Sequence, residues 1–260
     1  MLSTTASGSS TEFWPHDSQY VPSPDGVWVA VMGAGSGTDF ALRIIPVQGG
    51  PAIFSGTLGY NPAWSVDSRY LAFAQRNASS YSLVVFDPGA YNILTVLRGD
   101  DPGVPVLAIP AGAAAGAGAI SLFPAWSPAG QKLAVAVLAS EGQESMGWAG
   151  LVSLNGAPLK VLPPVEPRMV PYSLAYSADG LFLSVSFFDS SSGQGVGVYS
   201  AAGRLLRWLP GAQAGPWSPA GHTLALTDLA GVSLLAEPDV PDAKPQSVGP
   251  ARCSGLVWKP

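Results

Sequence analysis

The chain has 260 residues, 47% hydrophobic and only 11% charged, so a charge-rich disordered protein is excluded and a substantial core is expected. Net charge is −5 and the 12 lysines and arginines are scattered, leaving no basic stripe for a phosphate backbone; nucleic acid is not an expected partner. One cysteine, Cys253, excludes an intrachain disulfide and any cysteine-based metal cluster.

Residues 1–19 read as a tail ahead of a single domain over 20–260. Met1 to Ser10 is rich in Ser, Thr and Gly, with neither a basic start nor an apolar run, so it is not a signal peptide. A chain that begins after a removed signal, in the periplasm or outside the cell, is favoured over a cytoplasmic one.

One short pattern then recurs along the chain. Ser23-Pro24-Asp25-Gly26 opens it, ahead of the strand-like Val27-Trp28-Val29-Ala30-Val31. The second copy, Pro62-Ala63-Trp64-Ser65-Val66-Asp67-Ser68, starts the clearest unit. Pro62 to Ser65 reads as a strand and the next three residues as a turn; Tyr70 to Ala74, Tyr81 to Phe86 and Asn92 to Leu97 read as three further strands. Asp87-Pro88-Gly89 supplies a tight turn between the last two, because proline presets φ and glycine accepts φ > 0.

An insertion follows over about 101–121, with no charge from Pro102 to Gln131. Its hydropathy suits a membrane span, but Pro105, Pro110 and the glycines break any helix, so no transmembrane segment is assigned. The third copy is Pro124-Ala125-Trp126-Ser127-Pro128-Ala129-Gly130. A lengthened hairpin at 139–148 carries Glu141, Glu144 and the exposed-looking Met146 and Trp148.

Leu174-Ala175-Tyr176-Ser177-Ala178-Asp179-Gly180 is the fourth copy, and Gly193-Gln194-Gly195-Val196-Gly197 beyond it reads as a hairpin. The fifth, Gly215-Pro216-Trp217-Ser218-Pro219-Ala220-Gly221, is followed by His222, which reads as a surface residue. Leu256-Val257-Trp258-Lys259-Pro260 begins a sixth.

Measured between serine positions, and ending on Lys259, the steps are 42, 62, 50, 41 and 41 residues. A repeat of about 40–45 residues built from strands and turns marks a β-propeller. The fold expected is all-β, with five four-stranded blades, six remaining possible. The second strands Leu71-Ala72-Phe73-Ala74, Leu133-Ala134-Val135-Ala136 and Leu183-Ser184-Val185-Ser186 alternate large and small residues. Both faces of each sheet are then buried between neighbouring blades. Closure is expected from Ser254 to Pro260 joining the first blade, because Tyr20-Val21-Pro22 lacks the motif aromatic.

The string Pro-Ala-Trp-Ser-Pro-x-Gly-x-x-Leu-Ala-Val resembles the WD40-like repeat of TolB-type propellers. It is also similar to the propeller halves of prolyl oligopeptidase relatives and of tricorn protease. The resemblance spans about residues 20–260 and implies the fold. TolB carries an extra α/β domain and six blades, and the peptidases carry an α/β-hydrolase domain; neither addition occurs here, and one fold hosts many functions.

The motif aromatics Trp64, Trp126, Tyr176, Trp217 and Trp258 recur once per unit at a fixed offset, as packing between blades requires. Asp25, Asp67 and Asp179 could suggest a carboxylate ring, yet Ala129 and Ala220 replace them in two copies, so they read as turn residues. No Gly-x-Ser-x-Gly elbow, phosphate loop or histidine pair at metal spacing occurs, and no catalytic, cofactor-binding or metal-binding residue is assigned.

The reading is therefore a non-catalytic protein-binding or scaffold propeller, an accessory subunit of a larger assembly. Leu107, Ile109, Ile120, Met146 and Trp148 are its candidate partner contacts, with a loop folded over its own blade as the alternative for the insertion. The competing class is an enzyme or lectin acting on a carbohydrate at the central funnel.

Overall fold

A computed structural model of the chain describes residues 19–34, 40–57, 59–76, 81–105, 120–141, 144–155, 157–166, 168–189, 193–240 and 242–249. Among them, 20 strands form five antiparallel four-stranded sheets, each meandering in chain order. The first takes β1 (Gln19–Pro22), β2 (Trp28–Ala34), β3 (Phe40–Pro46) and β4 (Phe54–Thr57). The second takes β5 (Gly59–Trp64), β6 (Leu71–Arg76), β7 (Tyr81–Asp87) and β8 (Asn92–Arg98). β9 (Ile120–Trp126), β10 (Lys132–Glu141), β11 (Glu144–Ser153) and the two-residue β12 (Lys160–Val161) make the third. The fourth holds β13 (Val170–Tyr176), β14 (Phe182–Asp189), β15 (Gly193–Ser200) and β16 (Leu205–Pro210). β17 (Gln213–Trp217), β18 (Leu224–Thr227), β19 (Val232–Leu235) and β20 (Gln246–Gly249) make the fifth.

The period-2 alternation of the second strands divides each sheet between two interfaces. Leu71 and Phe73 pack with Ala30, Leu42 and Ile44 of the first blade, whereas Ala72 and Ala74 pack with Leu133 and Val135 of the third. Ala134, on the reverse of β10, joins Leu183 and Val185 of the fourth blade. Phe182, Val196 and Val198 then meet Trp217, Leu224 and Leu226 of the fifth. Four interfaces thus follow one another in chain order. Small side chains on one face let the next sheet approach.

Three expectations are corrected. The first position of the first sheet, assigned in sequence to 254–260, is held by β1, which pairs with β2 from Gln19↔Met32 to Pro22↔Val29. The stretch 254–260 lies outside the described residues. Ile120 and Ser121, placed in the insertion, belong to β9. The glycine-rich 193–197 lies in the β14–β15 hairpin as expected, but it forms the opening residues of the strand instead of preceding it. A side chain at Gly195 is sterically barred, since a Cβ there would sit 2.1 Å from the Trp208 ring. The lengthened hairpin is present as two ten-residue strands paired from Lys132↔Ser153 to Glu141↔Glu144. Among the described residues no helix is long and apolar enough to cross a membrane.

Candidate functional site

The motif turns sit between the first and second strands of each blade. Ser23 N–H donates to Trp28 O at 2.8 Å, Gly26 N–H to Ser23 O at 2.9 Å, and Trp28 N–H to Ser23 Oγ at 2.9 Å. Ser23 Oγ–H donates to Asp25 Oδ1 at 2.6 Å, and the same oxygen accepts Val27 N–H at 3.0 Å. Ser65 with Asp67 and Ser177 with Asp179 repeat this network. The carboxylates are thereby committed to their own turns, as side-chain mimicry of a backbone turn requires. The Ser23 hydroxyl and the Val27 N–H hold the Asp25 carboxyl below its ordinary range. For Asp179, burial pushes upward but is outweighed by Ser177, the Leu181 N–H and His222, and the net direction is down.

Sequence spacing marked the serines as a ruler without giving them a role; Ser23, Ser65 and Ser177 are in fact buried hubs of these turns. His222 is not a lone surface residue: its Nδ1 meets Asp179 Oδ2 at 2.8 Å across the boundary of the fourth and fifth blades. Its ring also stands edge-on to Phe182, with centroids 5.3 Å apart. Among the described residues no group of three or more His, Cys, Asp or Glu could hold a metal ion.

The motif aromatics are interblade wedges. Trp64, Trp126 and Trp217 are buried, and their indole N–H groups donate to Val21 O at 2.9 Å, Ala63 O at 2.8 Å and Ala175 O at 3.0 Å in the preceding blade. Trp126 and Trp217 also stack at 17° on Tyr70 and Phe182 of that blade.

The candidate contacts read from sequence do not come together on an open surface. Leu107 and Ile109 lie outside the described residues. Ile120 and Trp148, each 7% exposed, pack in the core between the second and third blades. Met146, at 45%, is exposed near the start of β11. Trp148 is inside because ten paired residues of β10 carry the hairpin along the neighbouring blade instead of out into solvent.

Exposed apolar residues gather elsewhere. Antiparallel meanders place the first-to-second and third-to-fourth turns on one face of the molecule, and the second-to-third hairpins and interblade connections on the other. On the first of these faces, Val27 and Val47 of the first blade and Val66, Tyr91, Ile93 and Leu94 of the second are 46–65% exposed. Three contacts tie their turns together. Val47 N–H donates to Val27 O at 2.9 Å, Asp25 N–H to Ser68 Oγ at 2.9 Å, and Arg69 Nε lies 3.8 Å from Asp87 Oδ2. Ser68 holds φ +61° where Gly26, Gly130 and Gly180 occupy the equivalent slot, and its hydroxyl receives the neighbouring blade. Asp25 and Asp67 stand exposed at the margin of the apolar residues. Sequence reading passed over this surface because its residues are spread over four separate turns of two blades and the start of β8.

On the opposite face, a cavity of about 350 Å³ between the fourth and fifth blades is lined by Leu209, Leu226, Val232, Ser233 and Asp228. Asp228 Oδ1 there accepts the Ala230 and Gly231 N–H groups.

The sheets, their order and their interblade wedges define the chain as a β-propeller domain of five four-stranded blades. Among solved structures it is similar to TolB from Acinetobacter baumannii, at 14% identity and TM-score 0.52, covering 85% of this chain and 51% of that one. It is similar to Porphyromonas gingivalis dipeptidyl peptidase 4 at 11% identity and TM-score 0.60, over 88% of this chain and 39% of that one. The β-propeller domain of the trilobed protease from Pyrococcus furiosus, described as having an open velcro topology, matches at 13% identity and TM-score 0.50, over 83% and 65%. These likenesses show the fold. The chain spans about half the length of that TolB and 39% of that peptidase. No protein-family model matches the sequence, and no curated protein matches it.

Proposed function

We propose that this propeller is a non-catalytic protein-binding module, an accessory subunit that docks a partner on the turn face of its first two blades. The observation that carries this reading is that Val27, Val47, Val66, Tyr91, Ile93 and Leu94 are all exposed on the turn face of the first two blades, whose turns are bonded to one another. Exposed apolar area is costly in water, at about 25 cal/mol per Å², and its concentration on one face favours an interaction site there. Asp25 and Asp67 at its margin and the net charge of −5 favour a protein surface with an apolar centre and a lysine or arginine rim. The commitment of the motif carboxylates to their turns supports a binding role over funnel catalysis.

The test places a photo-crosslinking residue at Tyr91 in the full chain in its native cell, with Leu229, fully exposed on the other face, as control. A partner captured from Tyr91 and not from Leu229 should lose at least about tenfold in affinity to the purified Val66→Asp/Tyr91→Asp variant, with unchanged melting temperature. Equal capture from both positions, or unchanged affinity of the variant, overturns the reading.

A further inference from the structure

A row of side chains that fills the boundary between the first two blades is smaller and more polar between the last two. In the second blade, Phe73, Val84 and Thr95 stand opposite one another across β6, β7 and β8. Phe73 and Val84 are buried and pack at the boundary with the first blade. The fifth blade sets Leu226, Ser233 and Ser247 at the corresponding places of β18, β19 and β20. Each is smaller than its counterpart, and directly opposite residues project to the same side of a sheet. That side is turned to the fourth blade, because Leu226 packs with Phe182 and Val198. All three residues line the cavity of about 350 Å³, with Leu209 and the connecting Ala212 as further apolar walls.

Asp228, in the turn after β18, is the one ionisable residue among the described residues that line this cavity. Its Oδ1 accepts the Ala230 and Gly231 N–H groups at 2.8 and 2.9 Å, so the turn itself holds the carboxylate in place. The Ser233 and Ser247 hydroxyls can each donate and accept. One fixed negative charge, with no lysine, arginine or histidine beside it in the lining, repels an anion and attracts a cation. The volume falls within the range of small-molecule sites, about 300–1,000 Å³.

We propose that this cavity binds a small organic monocation, an ammonium group on an apolar body. The body lies against Leu209, Ala212 and Leu226. The ammonium donates to the Asp228 carboxylate, with the two serine hydroxyls as further acceptors in the same cavity. The site is on the face opposite the exposed apolar residues of the first two blades, so it stands or falls separately from the docking surface proposed there.

Methyl spectra of the full, unsubstituted chain, titrated with 2-phenylethylammonium chloride, test this. The Leu209 and Leu226 methyls should shift saturably with a Kd at or below about 1 mM, while those of Leu42, in the core between the first two blades, stay in place. The neutral 2-phenylethanol should bind about fivefold more weakly, because Asp228 is exposed and solvent screening limits what its charge adds. Asp228→Asn keeps an Oδ1 acceptor for the turn and removes the charge. It should weaken the ammonium about fivefold and leave the alcohol unchanged. The proposal is overturned by no saturable shift at Leu209 and Leu226, by equal shifts at Leu42, or by equal affinity for ammonium and alcohol. Unchanged ammonium affinity in the Asn variant also overturns it, because the charge is then read elsewhere. Should that variant fail to fold, the two ligands compared on the unsubstituted chain decide alone.

Discussion

His222 Nδ1 and Asp179 Oδ2 lie 2.8 Å apart, joining a turn of the fourth blade to the equivalent turn of the fifth across 43 residues of sequence. The carboxylate already accepts Ser177 Oγ–H and Leu181 N–H, so one aspartate serves both its own turn and the neighbouring blade. Stability therefore depends on its ionisation. Its folded pKa lies below the ordinary value of 3.8; the contribution is fully present above that value and is lost as pH falls through the lower folded pKa. Asp179→Asn should flatten the acid limb of the stability curve below about pH 4. Urea midpoints measured from pH 6 down to pH 2 check this; an acid limb identical to that of the parent contradicts it.

Trp126 anchors the third blade to the second by an indole bond and a stacked ring, and the two contributions are separable. Trp126→Phe keeps the stack on Tyr70 and loses the 2.8 Å bond to Ala63 O, so it should cost about 1–2 kcal/mol for the lost bond and the carbonyl left without that donor. Trp126→Ala also opens a cavity and should cost about 3–5 kcal/mol. Denaturant titrations at constant m-value measure both. Equal losses would show that the ring carries nothing beyond the donor.

Tyr81 illustrates the opposite case. Its hydroxyl is buried, and burial pushes its pKa up to about 12, opposed in part by the Trp148 indole. Neither Tyr81 Oη nor Trp148 Nε1 completes a hydrogen bond. Tyr81→Phe removes a desolvated polar atom at the same shape, so stability should stay within about 0.5 kcal/mol or rise, in contrast to most core substitutions. A loss above about 1 kcal/mol would mean that the hydroxyl is bonded after all.

Gly195 lies in the interior of β15 because the Trp208 ring crosses over it. Gly195→Ala forces that ring aside and with it the bond from Trp208 Nε1 to Glu166 Oε1 at 2.6 Å. The expected cost is about 1–3 kcal/mol, as for other overpacked sites. The same substitution at Gly49, where a Cβ meets nothing, tests strain from its φ of +90° alone. Thermal melts of the two variants separate crowding from backbone strain.

What could be read from sequence was what short-range chemistry dictates. Each motif turn closes within five residues through its serine, joined by an aspartate in three of the five copies, so the repeat was visible copy by copy and its carboxylates were identifiable as turn residues. The alternation Leu71-Ala72-Phe73-Ala74 announced two buried faces, because side chains of a strand point alternately to each side. Which apolar residues meet water was decided only by the tertiary structure. Trp148 in the middle of β11 and Tyr91 in the turn before β8 are both aromatic residues of hairpins, yet the third blade lies against the second and buries Trp148, while Tyr91 stays 65% exposed. β1 was missed for the same reason: Gln19-Tyr20-Val21-Pro22 has no strand pattern of its own and is held by pairing to β2 and by the Trp64 bond to Val21 O. Local hydrogen bonding is written in consecutive residues, whereas exposure depends on neighbours some forty residues away, whose approach is set by how the sheets stack.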